Sequence, residues 1–414
     1  MVKMEKYTIV LLHYNQINYI EEAISSIARQ TYKNIELIVA DDCSPEFDYD
    51  KIEKMIKKHN KNNIEYKILT MKENSGTVKN LNNAIKNATG DFIQFLASDD
   101  VLYDENVISR FVKEFKDKSK NIITAQCLMC DEDLKHGKPY VNVRMANKLN
   151  KKGTKVLFEK MSEYCIYCAG ATVYRTTILK KYKLFDERYQ FIEDWSSWVQ
   201  LIRKGEMIYY IDFIAYKHRD GGISHSEYTS DTLPPHVKKY YKELLDITVN
   251  DIFPYINDYK LSEQYRIVKK FYDCANYFGG FVPELYEYNK FIDKKKAENP
   301  KFARYWRIRK VIDVFRIYFI HKIKNLFKYN IVVPITFIVW LISCLVLNKY
   351  LYTTNNNYIL LMYILLYLIC YIIVYEIDKL FYIKKLFNES RYYREKNKNI
   401  DEEKVKNEIK KIRI

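Results

Sequence analysis

Among the neighbouring carboxylates in the first half of this sequence, three pairs stand where chemistry could use them: Asp41-Asp42, Asp99-Asp100 and Glu193-Asp194. The first two follow short apolar runs, IELIVA and FIQFL. Carboxylates at a strand end suit a hard divalent cation, Mg²⁺ or Mn²⁺, which takes oxygen ligands and keeps water and phosphate oxygens in its shell. Such a cation can neutralise a departing diphosphate. The plainer reading is a solvated turn or a helix cap, because Asp is a common turn residue. Glu193-Asp194 precedes Trp195, Trp198, Val199 and Ile202 at helical spacing. An acidic pair there is either a helix start favoured by the macrodipole or a general base for an acceptor hydroxyl. Taken singly, each pair favours the structural reading. Other chemistries lack their signatures. The ten glycines form neither G-x-G-x-x-G nor a P-loop, and neither H-E-x-x-H nor G-x-S-x-G occurs.

The elements that would position these pairs alternate as in an α/β domain over about residues 1–230. Thr8 to Leu12, Ile35 to Ala40 and Phe92 to Leu96 read as buried strands, and YKILTM as a further one. Asn18 to Gln30 has helical spacing, with Ile20, Ala23, Ile24 and Ile27 on one face, and Gly76 to Ala88 is similar. This is a parallel-sheet rhythm. Ligands of such sheets bind at the carboxyl ends of the strands, where two of the acidic pairs stand.

Residues 231–330 read as mainly helical, without a recognisable motif. They end in a basic, apolar-interleaved stretch, Lys301 to Lys328, whose only acid is Asp313. That composition suits an amphipathic helix beside a membrane. Two uncharged apolar runs follow, 331–347 and 358–375. Each spans about 26–27 Å as a helix, close to a hydrocarbon core of about 30 Å. The flanks are rich in Lys and Arg, and the linker 348–357 carries only Lys349. The positive-inside rule then predicts a transmembrane hairpin with both flanks cytoplasmic. The expectation is a multi-pass cell-membrane protein, its catalytic domain on the cytoplasmic side and a charged tail at 376–414. TIVLL is too short an apolar run for a signal peptide, which predicts a reducing compartment and free thiols.

The formal net charge of +16 suggests an anionic partner: nucleic acid, a phospholipid surface or phosphorylated small molecules. Nucleic acid fits least, since the charge lies mostly beside the apolar runs and no nucleic-acid-binding motif is evident. Of the eight cysteines, Cys127/Cys130 and Cys165/Cys168 are spaced C-x-x-C. A four-cysteine zinc site competes with buried strand thiols. Both pairs lie in apolar runs, and strand residues three apart point to opposite faces, so the second reading is preferred.

The stretch TIVLLHYNQINYIEEAISSIARQTYKNIELIVADDCS resembles the opening of inverting glycosyltransferases of family 2, which have the GT-A fold. ENSGTVKNLNNAI, GDFIQFLASDD, CAGATVYR, FIEDWSSWVQLIRKG and YKHRDGGIS follow in that family's order. The resemblance covers about residues 7–226. It implies a Rossmann-like, mostly parallel sheet and assigns roles to matching positions. Tyr14 would lie against the nucleotide base, Asp42 would hydrogen-bond it, and Asp41 would support that turn. Asp99 would ligate Mn²⁺ or Mg²⁺, with Asp100 beside it. Asp194 would be the catalytic base, with Glu193 and Trp195 shaping the acceptor site. His218 and Arg219 would approach the diphosphate. Two positions depart from the pattern. Ala97 stands where the family has the first Asp of D-x-D, and Lys79 stands where Arg is frequent, keeping the charge without the bidentate fork.

The resemblance thus implies a nucleotide-sugar donor, a UDP-sugar in the first instance, and a glycan or lipid-linked acceptor in surface polysaccharide or lipid-linked oligosaccharide synthesis. Two alternatives stay open. A polyprenyl-phosphate sugar synthase can also join this fold to two C-terminal spans, but ASDDVL departs from its D-A-D-L-Q type of sequence. A non-catalytic membrane scaffold with a degenerate fold is opposed by the joint presence of Asp42, Asp99 and Asp194.

Overall fold

The computed structural model describes residues 4–221, 233–279, 288–310 and 312–313. The described residues up to 310 belong to one compact unit. The apolar runs 331–347 and 358–375, the basic stretch from 314 on and the tail 376–414 lie outside the described residues. Among the described residues, no helix is long and apolar enough to cross a membrane.

The strands are β1 (Tyr7–His13), β2 (Ile35–Asp41), β3 (Glu65–Thr70), β4 (Phe92–Ala97), β5 (Val101–Leu102), β6 (Ile122–Met129), β7 (Lys138–Pro139), β8 (Thr172–Arg175) and β9 (Ile208–His218). They form one sheet in the order β3-β2-β1-β4-β8-β6-β9-β5, with β7 on β6. The half β3-β2-β1-β4 is parallel throughout. Beyond it the sheet is mixed: β8 runs antiparallel to both β4 and β6, β6 and β9 are parallel, and β5 is antiparallel to β9.

The helices are α1 (Ile20–Ala28), α2 (Tyr49–His59), α3 (Thr77–Asn87), α4 (Val107–Glu114), α5 (Val143–Asn150), α6 (Thr154–Met161), α7 (Thr176–Lys181), α8 (Glu193–Arg203), α9 (Pro235–Ile247), α10 (Leu261–Gly279) and α11 (Asn289–Glu298). They cover both faces of the sheet, so its central strands are apolar on both sides. Ile9 and Leu11 of β1 and Leu37 and Val39 of β2 join Ile20, Ile24, Ile52 and Phe111 from α1, α2 and α4 in one core. Val10, Ile38 and Phe95 face the other core, with Leu81 and Ile85 of α3 and Trp198 and Ile202 of α8. Val237 and Leu245 of α9, Val268 and Phe271 of α10, Ile292 of α11 and Trp306 belong to that second core. The helical region after residue 231 is therefore built into the core of the sheet domain.

Helix α8 carries Glu193 and Asp194, and its seating depends on Trp198. That side chain is fully buried, and its indole N–H donates to the Tyr174 hydroxyl of β8 at 2.6 Å. Trp198→Phe leaves this buried hydroxyl without its donor and opens space beside it. It should lower unfolding free energy by about 2–4 kcal/mol in a urea titration. Adding Tyr174→Phe should recover part of the loss, because the stranded hydroxyl is then gone.

Candidate active site

A cavity of about 1140 Å³ opens at the carboxyl ends of β1, β2 and β4. Tyr14, Asp42, Asp99, Asp100, Glu193, Asp194, Trp195 and His218 line it. All three acidic pairs thus contribute at least one side chain to a single space.

On the first side of the cavity, Asp41 ends β2 fully buried. Its carboxylate accepts from the Ser44 hydroxyl at 2.6 Å and from the Ser44 N–H. The Ser44 hydroxyl oxygen in turn accepts from Asn15 N–H at 2.9 Å, which fastens the loop after β1 to the turn after β2. Asp41 therefore supports the turn and is not on the cavity wall. Asp42 is on the wall, and its two carboxylate oxygens accept from Ser75 N–H at 2.9 Å and Gly76 N–H at 2.8 Å. Burial raises its pKa, while these two bonds pull the other way. Gly76 has φ +85°, and a Cβ there would stand 2.0 Å from Gln190 Cγ, so both conformation and space require glycine. Tyr14 is 44% exposed at the rim. Lys79 is exposed and off the wall, because Val78, Leu81 and Ile85 take the inward face of α3. Thr77 and Asn80 stand on the wall in its neighbourhood.

In the centre, Asp99 and Asp100 follow β4 and have different surroundings. Asp100 is buried and bonded: His218 Nδ1 lies 3.1 Å from both of its oxygens, and Arg219 N–H donates to it at 2.9 Å. Asp99 receives one long contact, from Gln16 Nε2 at 3.5 Å. Burial, followed by the charge of Asp100, pushes its pKa up to about 6. Arg219 is not on the wall. Its guanidinium donates to the carbonyls of Asp99 and Glu132, pairs with Glu22 at 2.6 Å and lies over the Tyr19 ring. Arg219 is thus placed against the Asp99 backbone and not on the cavity wall.

On the far side, α8 begins at Glu193 without a side-chain cap on its first turn. Trp195 is buried, and its indole N–H donates to the Met161 carbonyl at 2.7 Å, fixing this turn against α6. The Asp194 carboxylate accepts from Trp195 N–H at 2.5 Å and from the Cys165 thiol at 3.9 Å. Burial raises the pKa of Asp194. Burial, then the neighbouring Asp194, pushes Glu193 up to about 8. At neutral pH Glu193 therefore keeps its proton, while Asp194 beside it is also shifted upward by burial.

Sequence reasoning missed part of the wall. His236, Lys239, Tyr240 and Leu244 of α9 line the cavity, as do Tyr140, Cys165, Tyr167 and Cys168. No local signal marks these α9 residues, since only tertiary packing brings the helix there. The C-x-x-C spacings do not describe the thiols' neighbours. Cys127 meets Cys168 across the sheet at 2.7 Å, Cys165 contacts Asp194, and Cys130 contacts the Leu128 carbonyl. Among the described residues, no three His, Cys, Asp or Glu side chains converge as a closed metal site. A cation here would find the Asp99 carboxylate and would complete its shell from water and substrate oxygens, which suits Mg²⁺ or Mn²⁺.

His218 gives the centre a measurable pH signature. Burial works against its charged form, but the hydrogen bond and charge of Asp100, with Asp99, outweigh burial and hold its pKa up at about 9. A histidine raised in the folded state contributes stability that is full below about pH 6.5 and lost as pH rises through the folded value. Denaturant midpoints, measured with chelator present, should therefore fall between pH 6.5 and about 9. Asp100→Asn should flatten that slope.

The sequence is also similar to known proteins. Residues 8–183 match the model of glycosyl transferase family 2. An uncharacterized glycosyltransferase of Rickettsia typhi is 28% identical over 236 residues, which cover 56% of this chain and 68% of that protein. One of Haemophilus influenzae is 24% identical over 274 residues, covering 63% of this chain and 81% of that protein. The crystal structure of Staphylococcus aureus TarS residues 1–349 in complex with UDP superposes with a TM-score of 0.45 at 20% identity, over 66% of this chain and 72% of that one. The matched stretch, with its relatives and its carboxylate-lined cavity at the strand ends, belongs to glycosyl transferase family 2, and the chain is a glycosyltransferase.

Proposed function

We propose that this chain transfers a sugar from a nucleotide-sugar donor, a UDP-sugar in the first instance, to an acceptor hydroxyl by a single inverting displacement. The observation that carries this reading is the meeting of Asp42, Asp99 and Asp194 on one cavity. Asp42 and Tyr14 form the nucleotide end. Asp99 would hold a divalent cation, Mn²⁺ or Mg²⁺, which supplies positive charge for the diphosphate when bound. His218, cationic below about pH 9, adds charge on the same side.

Asp194 is the base. Burial raises its basicity, and the neighbouring Glu193, pushed up to about 8, is the acid of the pair that keeps a proton at neutral pH. It takes the acceptor proton as the hydroxyl oxygen bonds to the anomeric carbon and the nucleoside diphosphate leaves with the bond electrons. Neutral Glu193 can donate a hydrogen bond to a sugar hydroxyl, and Trp195 backs this end of the cavity.

The acceptor in this proposal is a glycan or lipid-linked saccharide of surface polysaccharide synthesis, met at the cytoplasmic face of the cell membrane. The support is the pair of apolar runs at 331–347 and 358–375 with their basic flanks. Reporter fusions at Asn356 and after Ile414 should read outside and inside respectively. The reverse pair would reject the hairpin.

Asp194→Asn separates base from scaffold, since Asn keeps the shape and an amide oxygen that can accept from Trp195 N–H. Transfer should fall by roughly 10²-fold or more, with nucleotide-sugar binding by calorimetry unchanged. Near-native transfer would remove Asp194 as the base. In the same assay, Asp99→Asn should raise the Mn²⁺ needed for half-maximal rate by roughly tenfold or more.

A further inference from the structure

Glu243 belongs to no family motif and lies in α9, beyond the matched residues 8–183. It is 5% exposed, and a buried carboxylate must find donors or lose stability. Its donors are the two backbone N–H groups just ahead of α8. Gln190 N–H donates to Oε1 at 2.8 Å and Phe191 N–H to Oε2 at 2.9 Å. With no side-chain cap on α8, this clamp sits three and two residues before Glu193, and four and three before Asp194.

The clamped residues also touch the nucleotide end. Val78 N–H donates to the Gln190 carbonyl at 3.1 Å. The Gln190 side chain fills the space over Gly76, whose own N–H bonds Asp42. Lys239, one turn before Glu243 on α9, donates to the Gln190 side-chain oxygen. Gln190 thus stands between the loop held by Asp42 and the segment that carries Asp194, and α9 grips it through both backbone and side chain.

We propose that Glu243 is a positioning residue for glycosyl transfer: its carboxylate fixes the 190–191 backbone, and through it sets Asp194 against the donor pocket. The inference rests on the reading of Asp194 as base. Chemistry of this kind needs reacting groups held to a fraction of an ångström, and a shift of about 1 Å can cost about 10²-fold in rate. It also gives the helical region after the sheet domain a task in the reaction, since α9 reaches the site by packing on the same core.

Glu243→Gln is the test. The amide keeps the size but offers one acceptor where two N–H groups converge, and it turns an N–H₂ toward the other. Two readouts are taken on the full chain. The first, backbone hydrogen exchange, needs no turnover: the amides of 190 and 191 should exchange about tenfold faster, with β1 and β4 unchanged. The second is hydrolysis of UDP-sugars in the presence of Mn²⁺. There kcat should fall roughly 10- to 100-fold while KM moves by less than about twofold. If Glu243→Gln is insoluble, Glu243→Asp keeps the charge, draws it back by one methylene and should show the same pattern at smaller amplitude. Unchanged exchange at 190–191 overturns the clamp. Faster exchange with unaltered kcat per folded molecule overturns its catalytic purpose. A wild-type chain that hydrolyses no nucleotide-sugar, yet shows the exchange effect, overturns the proposed function and leaves the clamp standing.

Discussion

Parallel pairing of β1 with β2 on one side and β4 on the other sets the geometry on which the site depends. In this register His13 lies opposite Asp41, and Leu12 opposite Ala97. The ladder continues past the strand ends, with Asp42 N–H on the His13 carbonyl and Ser98 N–H on the Leu12 carbonyl. Tyr14, Asp42 and Asp99 therefore leave the sheet on one line. The register has little freedom. A slip of one residue turns every side chain to the opposite face, and each face of this sheet has its own core to fill. Packing of Ile9 and Leu11 below, and Val10 above, is what keeps the carboxylates abreast.

The carboxylates around the site then divide by what the protein gives them. Asp41, Asp100 and Glu243 each accept at least two hydrogen bonds from the chain, and each holds a segment in place. Asp99, with one long contact from Gln16, faces the cavity together with Glu193 and Asp194, and burial raises the pKa of all three. A group left short of partners in a concave site has its remaining capacity for a ligand. Asp42 does both: two backbone N–H groups fix it, and it stays on the wall.

The wall of the site is shared between two stretches with different origins. The strands and turns of residues 8–183 carry the family's motifs, while α9 supplies His236, Lys239 and Tyr240 from a segment without one. Substrate preference can change on such a wall without disturbing the sheet. The wall carboxylates Asp42, Asp99 and Asp100 come from strand ends, whose positions the hydrogen-bond ladder fixes. The α9 side chains project from a helix held by core packing and by its bonds to Gln190 and Phe191.

Much of this was legible in the residues themselves. Short apolar runs ending in acidic pairs marked β2 and β4. Helical spacing marked α1, α3 and α8, because an inward face repeats every three or four residues whatever lies opposite it. The same periodicity puts Lys79 on the outer face of α3. What could not be read is every feature that joins distant segments. Arg219 is drawn into the Asp99 carbonyl, Glu22 and Tyr19. Cys127 meets Cys168, and Cys165 meets Asp194. Glu243 closes on Gln190 and Phe191. The sequence alone determined which residues could do the chemistry and which strands would end beside them, since local pattern and turn chemistry are written within a few residues. Only the tertiary structure decided which charges face the cavity and which are consumed in holding it, since a long side chain's partners depend on segments that meet only once the sheet has closed.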